Sequence, residues 1–240
     1  MNKPCVLLVE DHLAERAVLV PQLVRAGFRV IEAPDGDAAL RLVATARPDI
    51  VLLDVMMPGL DGREVLRALR GKRDWTPVIM LTCLDAAWEV SGALDEGADD
   101  YVNKPFDTGE LISRIRAVLR RARPGQRPLS ASPRLRCGEM TFDRATHRAT
   151  LEGRPVALGA KATRLLGYML LHPDELLTRE RLLIDVWEYP PGGAAAGSRM
   201  VDQRVAEIRR ALGDDPADPR YIETVPGDGY RFVAIVEADA

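Results

Sequence analysis

Over the first half of the chain, continuous apolar runs alternate with stretches whose apolar residues recur at helical spacing. VLLV (6–9), RVIEA (29–33), IVLLDV (50–55), VIML (78–81) and DYVN around Tyr101 read as strands. The first, third and fourth are so apolar that they suit burial on both faces of a parallel sheet. Between strands, segments such as Ala14–Ala26 and Asp37–Ala46 carry the helical period. Strand and helix in alternation predict a doubly wound, five-stranded parallel α/β sheet.

Near residue 120 the pattern breaks. RRARPGQRPLSASPR (120–134) is rich in Arg, Pro, Ser and Gly, lacks acidic residues and offers little to bury, so residues 122–133 read as a linker between a first domain (1–121) and a second (134–240). In the second, LRCGEMTFD, HRATLEG and RPVAL alternate like short antiparallel strands. Helices are expected over Lys161–Leu171, Arg179–Trp187 and Arg199–Leu212, and YIETVPGDGYRFVAIV reads as a hairpin turned at Gly227–Gly229. This is a small α+β unit.

Composition narrows the picture. The 240 residues are 47% hydrophobic, enough for two modest cores, and the net charge of −3 argues against a uniformly basic nucleic-acid binder while permitting a local basic face. The three cysteines are too scattered for a disulfide framework or metal knuckle. With no signal-peptide plan and no apolar run near the ~18 residues of a membrane span, a cytoplasmic protein is expected.

Candidate chemistry sits at the strand ends. Glu10 and Asp11 follow VLLV, Asp54 interrupts VLLDVMM, and Lys104 lies in DYVNKPF. If these strands are parallel neighbours, the four side chains share one sheet edge, where open α/β sheets bind ligands. A lone Asp54 reads as a turn cap. Three carboxylates together repel unless a divalent cation neutralises them, and hard oxygen donors suit Mg²⁺. Glu10 and Asp11 would then hold the metal and Asp54 would take a phosphoryl group. Lys104 and the Thr82 hydroxyl would meet the phosphoryl oxygens. His12 rims this pocket, and Cys83 reads as packing.

VEDH, LLDVMMPGLDG, LTC and DDYVNKPF make residues 3–121 resemble the receiver domain of bacterial two-component response regulators, of flavodoxin-like fold. The resemblance implies that Asp54 accepts phosphate from a cognate histidine kinase. It also implies Mg²⁺ on Glu10, Asp11, Asp54 and the Met56 backbone carbonyl, a cis Lys104–Pro105 bond, and a switch of Thr82 and Tyr101. Such a receiver catalyses only its own phosphorylation and dephosphorylation and is otherwise no enzyme. When phosphorylated it pairs into a homodimer, with Asp99, Asp100, Glu110, Arg114 and Arg121 as its charged face. The fourth helix, AAWEVSGALDEG, lacks an expected basic residue, and Trp88 stands in its region. A haloacid-dehalogenase-like phosphatase would want an Asp where Met56 stands.

The segment Arg199–Leu212 places Val201, Val205, Ile208 and Leu212 on one face. Arg199, Gln203, Ala206, Glu207 and Arg210 lie opposite, with Arg204 and Arg209 on the flanks. Such a face is either a solvated surface or a set of donors for a DNA groove. TRERLLIDVW, SRMVDQRVAEIRRALGDD and YIETVPGDGYRF resemble the winged-helix output domain of the OmpR/PhoB type, which implies double-stranded DNA, read as tandem half-sites, as the partner. By that resemblance Arg199, Arg204 and Arg209 contact DNA, with Thr224 and Tyr230 at its backbone, and the loop EYPPGGAAAGS lies where relatives touch RNA polymerase. Ala206, Glu207 and Pro226 depart from the family's basic positions, and Asp228 adds negative charge at the wing. The leading expectation is therefore a phosphorylation-controlled transcription regulator. The alternative is a receiver-controlled protein-interaction module with little DNA binding.

Overall fold

The computed structural model describes residues 3–83, 97–122, 128–187, 189 and 194–239. The chain forms two compact units, Met1–Ala131 and Ser132–Ala240, dividing inside the stretch expected to link them. Residues 84–96, which hold Trp88 and most of AAWEVSGALDEG, the Cys83 side chain, and residues 188 and 190–193 of EYPPGGAAAGS lie outside the described residues.

The first unit runs β1 (Cys5–Val9), α1 (Leu13–Arg25), β2 (Arg29–Ala33), α2 (Gly36–Ala46), β3 (Ile50–Asp54), α3 (Gly62–Gly71), β4 (Val78–Cys83), β5 (Asp100–Lys104) and α4 (Thr108–Arg121). The sheet order is β2-β1-β3-β4-β5, with every described pair parallel. Because the winding reverses between β1 and β3, their carboxyl ends open a crevice, the ligand position in this topology.

Alternation within each strand builds two cores. Leu7, Val9, Val51, Leu53 and Met80 pack on one face with α2 and α3 residues such as Val43, Val65 and Leu66. Val6, Leu8, Ile50, Leu52, Ile79 and Leu81 pack on the other with Leu19 and Leu23 of α1 and Leu111 and Ile115 of α4. Helix starts are fixed by carboxylate caps: Asp35 on Ala38 N (2.7 Å), Asp61 on Glu64 N (2.7 Å) and Asp107 on Glu110 N (3.0 Å). Each such cap contributes about 1 kcal/mol.

Gly62 positions the start of α3 against the crevice. Its amide donates to the Val55 carbonyl at 3.1 Å, and a Cβ there would come within 2.2 Å of the Asp54 carbonyl oxygen. Gly62→Ala therefore has to push α3 off the strand end, an overpacking cost of about 1–3 kcal/mol or more. A thermal melt is expected to show that loss; an unchanged midpoint would mean the loop gives way freely.

The second unit runs β6 (Arg134–Cys137), β7 (Met140–Asp143), β8 (Arg148–Leu151), β9 (Arg154–Pro155), α5 (Ala160–Leu171), β10 (Leu177–Thr178), α6 (Arg179–Trp187), α7 (Ala194–Leu212), β11 (Ile222–Val225), β12 (Gly229–Phe232) and β13 (Glu237–Asp239). One sheet is ordered β13-β6-β7-β8-β9, with β6 to β9 before the helices in the chain and β13 returning after them, and β10-β12-β11 carries the hairpin. The helices bury Leu165, Leu166, Met169, Leu182, Leu183, Val201, Val205, Ile208 and Leu212 between them. Helix α7 begins at Ala194, not at the expected Arg199. Ala194, Ala195 and Ala196 are strong helix formers, and their propensity outweighs the neighbouring glycines that suggested a loop.

The hairpin closes with Val225 opposite Gly229 across Pro226, Gly227 and Asp228, and Gly227 takes φ +84°, a conformation that suits glycine. Gly229 lets β12 approach β10, since a Cβ there would meet the Leu177 carbonyl oxygen at 2.1 Å. At the hairpin's base, buried Asp214 accepts from the backbone amides of Arg220 (2.8 Å), Tyr221 (3.1 Å) and Ile222 (3.0 Å).

Candidate functional site

Parallel register delivers the acidic residues to one edge. Val9 of β1 pairs with Leu53 of β3, so Glu10 and Asp11 follow one strand as Asp54 ends the next. Carboxylate oxygens of Glu10, Asp11 and Asp54 lie within 4.8 Å of one another. Glu10 is fully buried and Asp54 nearly so, while Asp11 is partly exposed. Asp54 Oδ1 accepts from the Met56 amide at 3.0 Å, which fixes its rotamer at the strand end.

Lys104 ends β5 and crosses to this cluster. Its Nζ donates to Glu10 Oε2 at 2.6 Å, to Asp54 Oδ2 at 2.7 Å and to Glu15 Oε2 at 2.7 Å. Burial opposes the charged ammonium, but the hydrogen bonds to Asp54, Glu10 and Glu15 outweigh it and hold the Lys104 pKa above its ordinary value. Burial pushes the Glu10 carboxyl up, against the Lys104 hydrogen bond. The Lys104–Pro105 bond is cis. Glu15, in the first turn of α1, joins this site as a residue that no motif marks. Its partner lies 89 residues away, and only its position four residues after Asp11 hinted at this edge.

Thr82 is buried on β4, in register with Asn103 of β5. The Tyr101 ring is buried among the residues of the α2/α3 core. Met56 stands exposed beside the crevice. His12 is exposed with Nδ1 3.0 Å from Asp11 Oδ1, and the Asp11 charge raises its pKa.

The five charged residues read as a dimer face are engaged inside one chain. Arg114 pairs with Asp100 at 3.2 Å and with Glu110 at 2.7 Å. Asp99 pairs with Arg70 at 3.3 Å and accepts from the Val78 amide at 2.9 Å. Burial raises the Asp99 pKa, opposed by the charges of Arg70 and Arg121. Arg70, unremarked in the sequence, also donates to the carbonyls of Gly97, Asp74 and Thr76.

On the second unit, Arg199, Gln203 and Arg210 are exposed on α7. Arg204 pairs with Glu207, whose other oxygen accepts from the Gly159 amide at 2.8 Å and so caps α5. Arg209 donates to the Ile222 carbonyl at 2.7 Å and to Thr224 Oγ1 at 2.8 Å, tying α7 to the hairpin. Tyr230 is buried, with its hydroxyl donating to Asp202 at 2.6 Å, and Asp202 also takes Arg179 at 2.8 Å. The seven residues expected at DNA thus divide. Arg199, Gln203 and Arg210 point outward, whereas Arg204, Arg209, Thr224 and Tyr230 take part in the domain's own contacts.

Comparison with known proteins adds to this geometry. Residues 6–116 match the response regulator receiver domain family, and residues 153–232 match the C-terminal domain of transcriptional regulatory proteins. The chain is 41% identical over 229 residues to the transcriptional regulatory protein AfsQ1 of Streptomyces coelicolor, covering 95% of this chain and 98% of that one. It is 40% identical over 227 residues to the response regulator MprA of Mycobacterium tuberculosis, covering 94% and 95%. To the phosphate regulon transcriptional regulatory protein PhoB of Pseudomonas aeruginosa it is 36% identical over 231 residues, covering 95% and 96%.

Proposed function

Because the chain belongs to the response regulators of the OmpR/PhoB type, and is thus a phosphorylation-controlled transcription regulator of a two-component system, we propose that Asp54 is its phosphoacceptor. The observation that carries this is Lys104 Nζ at 2.7 Å from Asp54 Oδ2 in the crevice between β1 and β3. An Asp54 oxygen attacks phosphorus, the new O–P bond forms as the donor's bond to phosphorus breaks, and the leaving group departs with the electron pair. Such a transfer needs positioning and charge neutralisation more than acid or base chemistry. Lys104 supplies a cation already at the acceptor oxygen, and the Met56 amide keeps the carboxylate from turning away.

The donor set fits a divalent cation: Glu10, Asp11 and Asp54 offer hard carboxylate oxygens from a partly open crevice, with the Met56 carbonyl as a further ligand. Bound there, Mg²⁺ would offset the mutual repulsion of the carboxylates and the charge of the phosphoryl oxygens. Thr82 and Tyr101, on the adjacent strands, are the residues through which phosphorylation is read. Leu13 and Val24 expose apolar side chains on one side of α1, whose start borders the crevice, and would give the histidine kinase a surface to dock on.

Downstream, the Asp100–Arg114–Glu110 pairs would re-form across a two-fold axis in a receiver homodimer, with Asp99 and Arg121 beside them, so that two output domains engage tandem half-sites together. The match to a transcriptional regulatory C-terminal domain favours this over the protein-interaction alternative. The segment between α6 and α7 would reach RNA polymerase. Among the described residues no helix is long and apolar enough to cross a membrane, and the proposed place of action is the cytoplasm.

Selection of bound fragments from sheared genomic DNA tests the whole reading, comparing untreated protein with protein given acetyl phosphate and Mg²⁺. Enrichment of one tandem site by the treated form is expected. No enrichment, with phosphorylation confirmed by mass, would count against DNA recognition.

The internal pairing on α7 carries its own prediction. With Arg204 and Arg209 held by Glu207 and by β11, the phosphate contacts fall to Arg199, Arg210 and few others. Each missing phosphate contact removes about 0.9 from the slope of log K against log salt. A shallow slope is therefore expected by fluorescence anisotropy, and a steep one would show that both pairs break on DNA.

A further inference from the structure

We propose that Glu15 is a positioning residue that holds Lys104 in the phosphate-free site and competes with an incoming phosphoryl group for its ammonium. The inference rests on Asp54 as the phosphoacceptor. An ammonium has three N–H donors. In this structure Glu10, Asp54 and Glu15 each take one oxygen contact with Nζ, at 2.6 to 2.7 Å. A phosphoryl oxygen can reach Lys104 only by displacing one of them.

The three partners are not equally displaceable. The Glu10 side chain is 0% exposed, so its carboxylate would be stranded without water, and Asp54 is the atom donor to the new bond. The Glu15 side chain is 46% exposed and can be rehydrated where it stands. Glu15 is therefore the ligand that yields. Until it yields, the Glu15 carboxylate adds a further negative charge beside the incoming dianionic donor.

The step stays balanced without Glu15 exchanging a proton. The bond from Asp54 oxygen to phosphorus forms, the donor's bond to phosphorus breaks, and Lys104 transfers one hydrogen bond from Glu15 to a phosphoryl oxygen. Glu15 keeps its charge and gains water. Its effect belongs to donor capture, not to the maximal rate.

The test uses full-length protein with Mg²⁺ and acetyl phosphate, following phosphoprotein formation by intact mass across donor concentration for wild type, Glu15→Gln and Glu15→Lys. The KM for acetyl phosphate is expected to fall about two- to five-fold in Glu15→Gln, the size of a half-exposed charge interaction, and further in Glu15→Lys. The maximal rate should remain near wild type. The KM difference should shrink between about 0.05 and about 0.5 M salt as the exposed charge is screened. An unchanged KM, a fall in maximal rate alone, or a KM effect indifferent to salt would overturn the role assigned to Glu15. Wild-type protein that is folded yet takes up no phosphoryl group would instead overturn Asp54 as the acceptor, and this inference with it.

Discussion

Asp54→Ala takes up no phosphoryl group from acetyl phosphate and Mg²⁺ at any donor concentration, and its DNA affinity does not respond to the donor: that is the expected result. Neither of the two carboxylates that cluster with it as metal ligands is placed to substitute. Glu10 is fully buried, and Asp11 has no lysine contact comparable to the 2.7 Å between Lys104 and Asp54. The variant should nonetheless fold. Lys104 keeps Glu10 and Glu15, and removing Asp54 relieves repulsion among carboxylates that share the crevice. Its thermal midpoint is expected to match or exceed that of wild type. A mass gain that persists in the variant would sink the assignment, and a large fall in midpoint would make the lost uptake uninformative without the Asp54→Asn variant beside it.

Asp214→Ala carries the second large effect, this time on stability. One carboxylate satisfies three amides where the chain enters β11, and the residue is buried. Truncation strands those donors, a loss of about 3–5 kcal/mol given the usual cost of unpaired buried groups and charge-assisted bonds. Against a typical stability of about 5–15 kcal/mol, that endangers the second unit. Differential scanning calorimetry should show its transition falling by roughly 12–40 °C, at about 4–8 °C per kcal/mol. The receiver's transition should stay in place. Asp214→Asn should lose less, because one oxygen can still accept from Arg220 and Tyr221. Equal losses for Ala and Asn would point to charge rather than amide pairing.

The sheet of the receiver was legible because its strands are apolar runs broken only where chemistry intrudes. Asp54 stands out inside VLLDVMM for the same physical reason that it matters: a carboxylate among buried apolar residues needs partners. The partners themselves were less legible. Glu15 meets Lys104 across 89 residues, Arg70 meets Asp99 across 29, and Glu207 caps Gly159 across 48. No local period or propensity encodes such meetings. Glu207 is instructive, since helical period set it on the outer face of α7 and the family resemblance marked it as a departure from a basic position, whereas the fold gives it a cap and an arginine to hold. Likewise the apolar stripe of α7 was readable from Val201 to Leu212, but its first turn was not, because alanines and glycines there give opposing signals.

The ion pairs along α7 reach beyond a single binding site. A chromosome offers an immense excess of random sequence, and every free cation on a recognition helix is a handle for it. A helix that folds Arg204 and Arg209 into its own domain gives those decoys less to grasp. With α7 as the proposed DNA-contacting helix, fewer molecules would be sequestered along the genome, and a smaller cellular stock of the regulator would fill its operator. In the proposed dimer, the same economy of grip would leave a solitary subunit almost nowhere to linger, sharpening the contrast between silence and response.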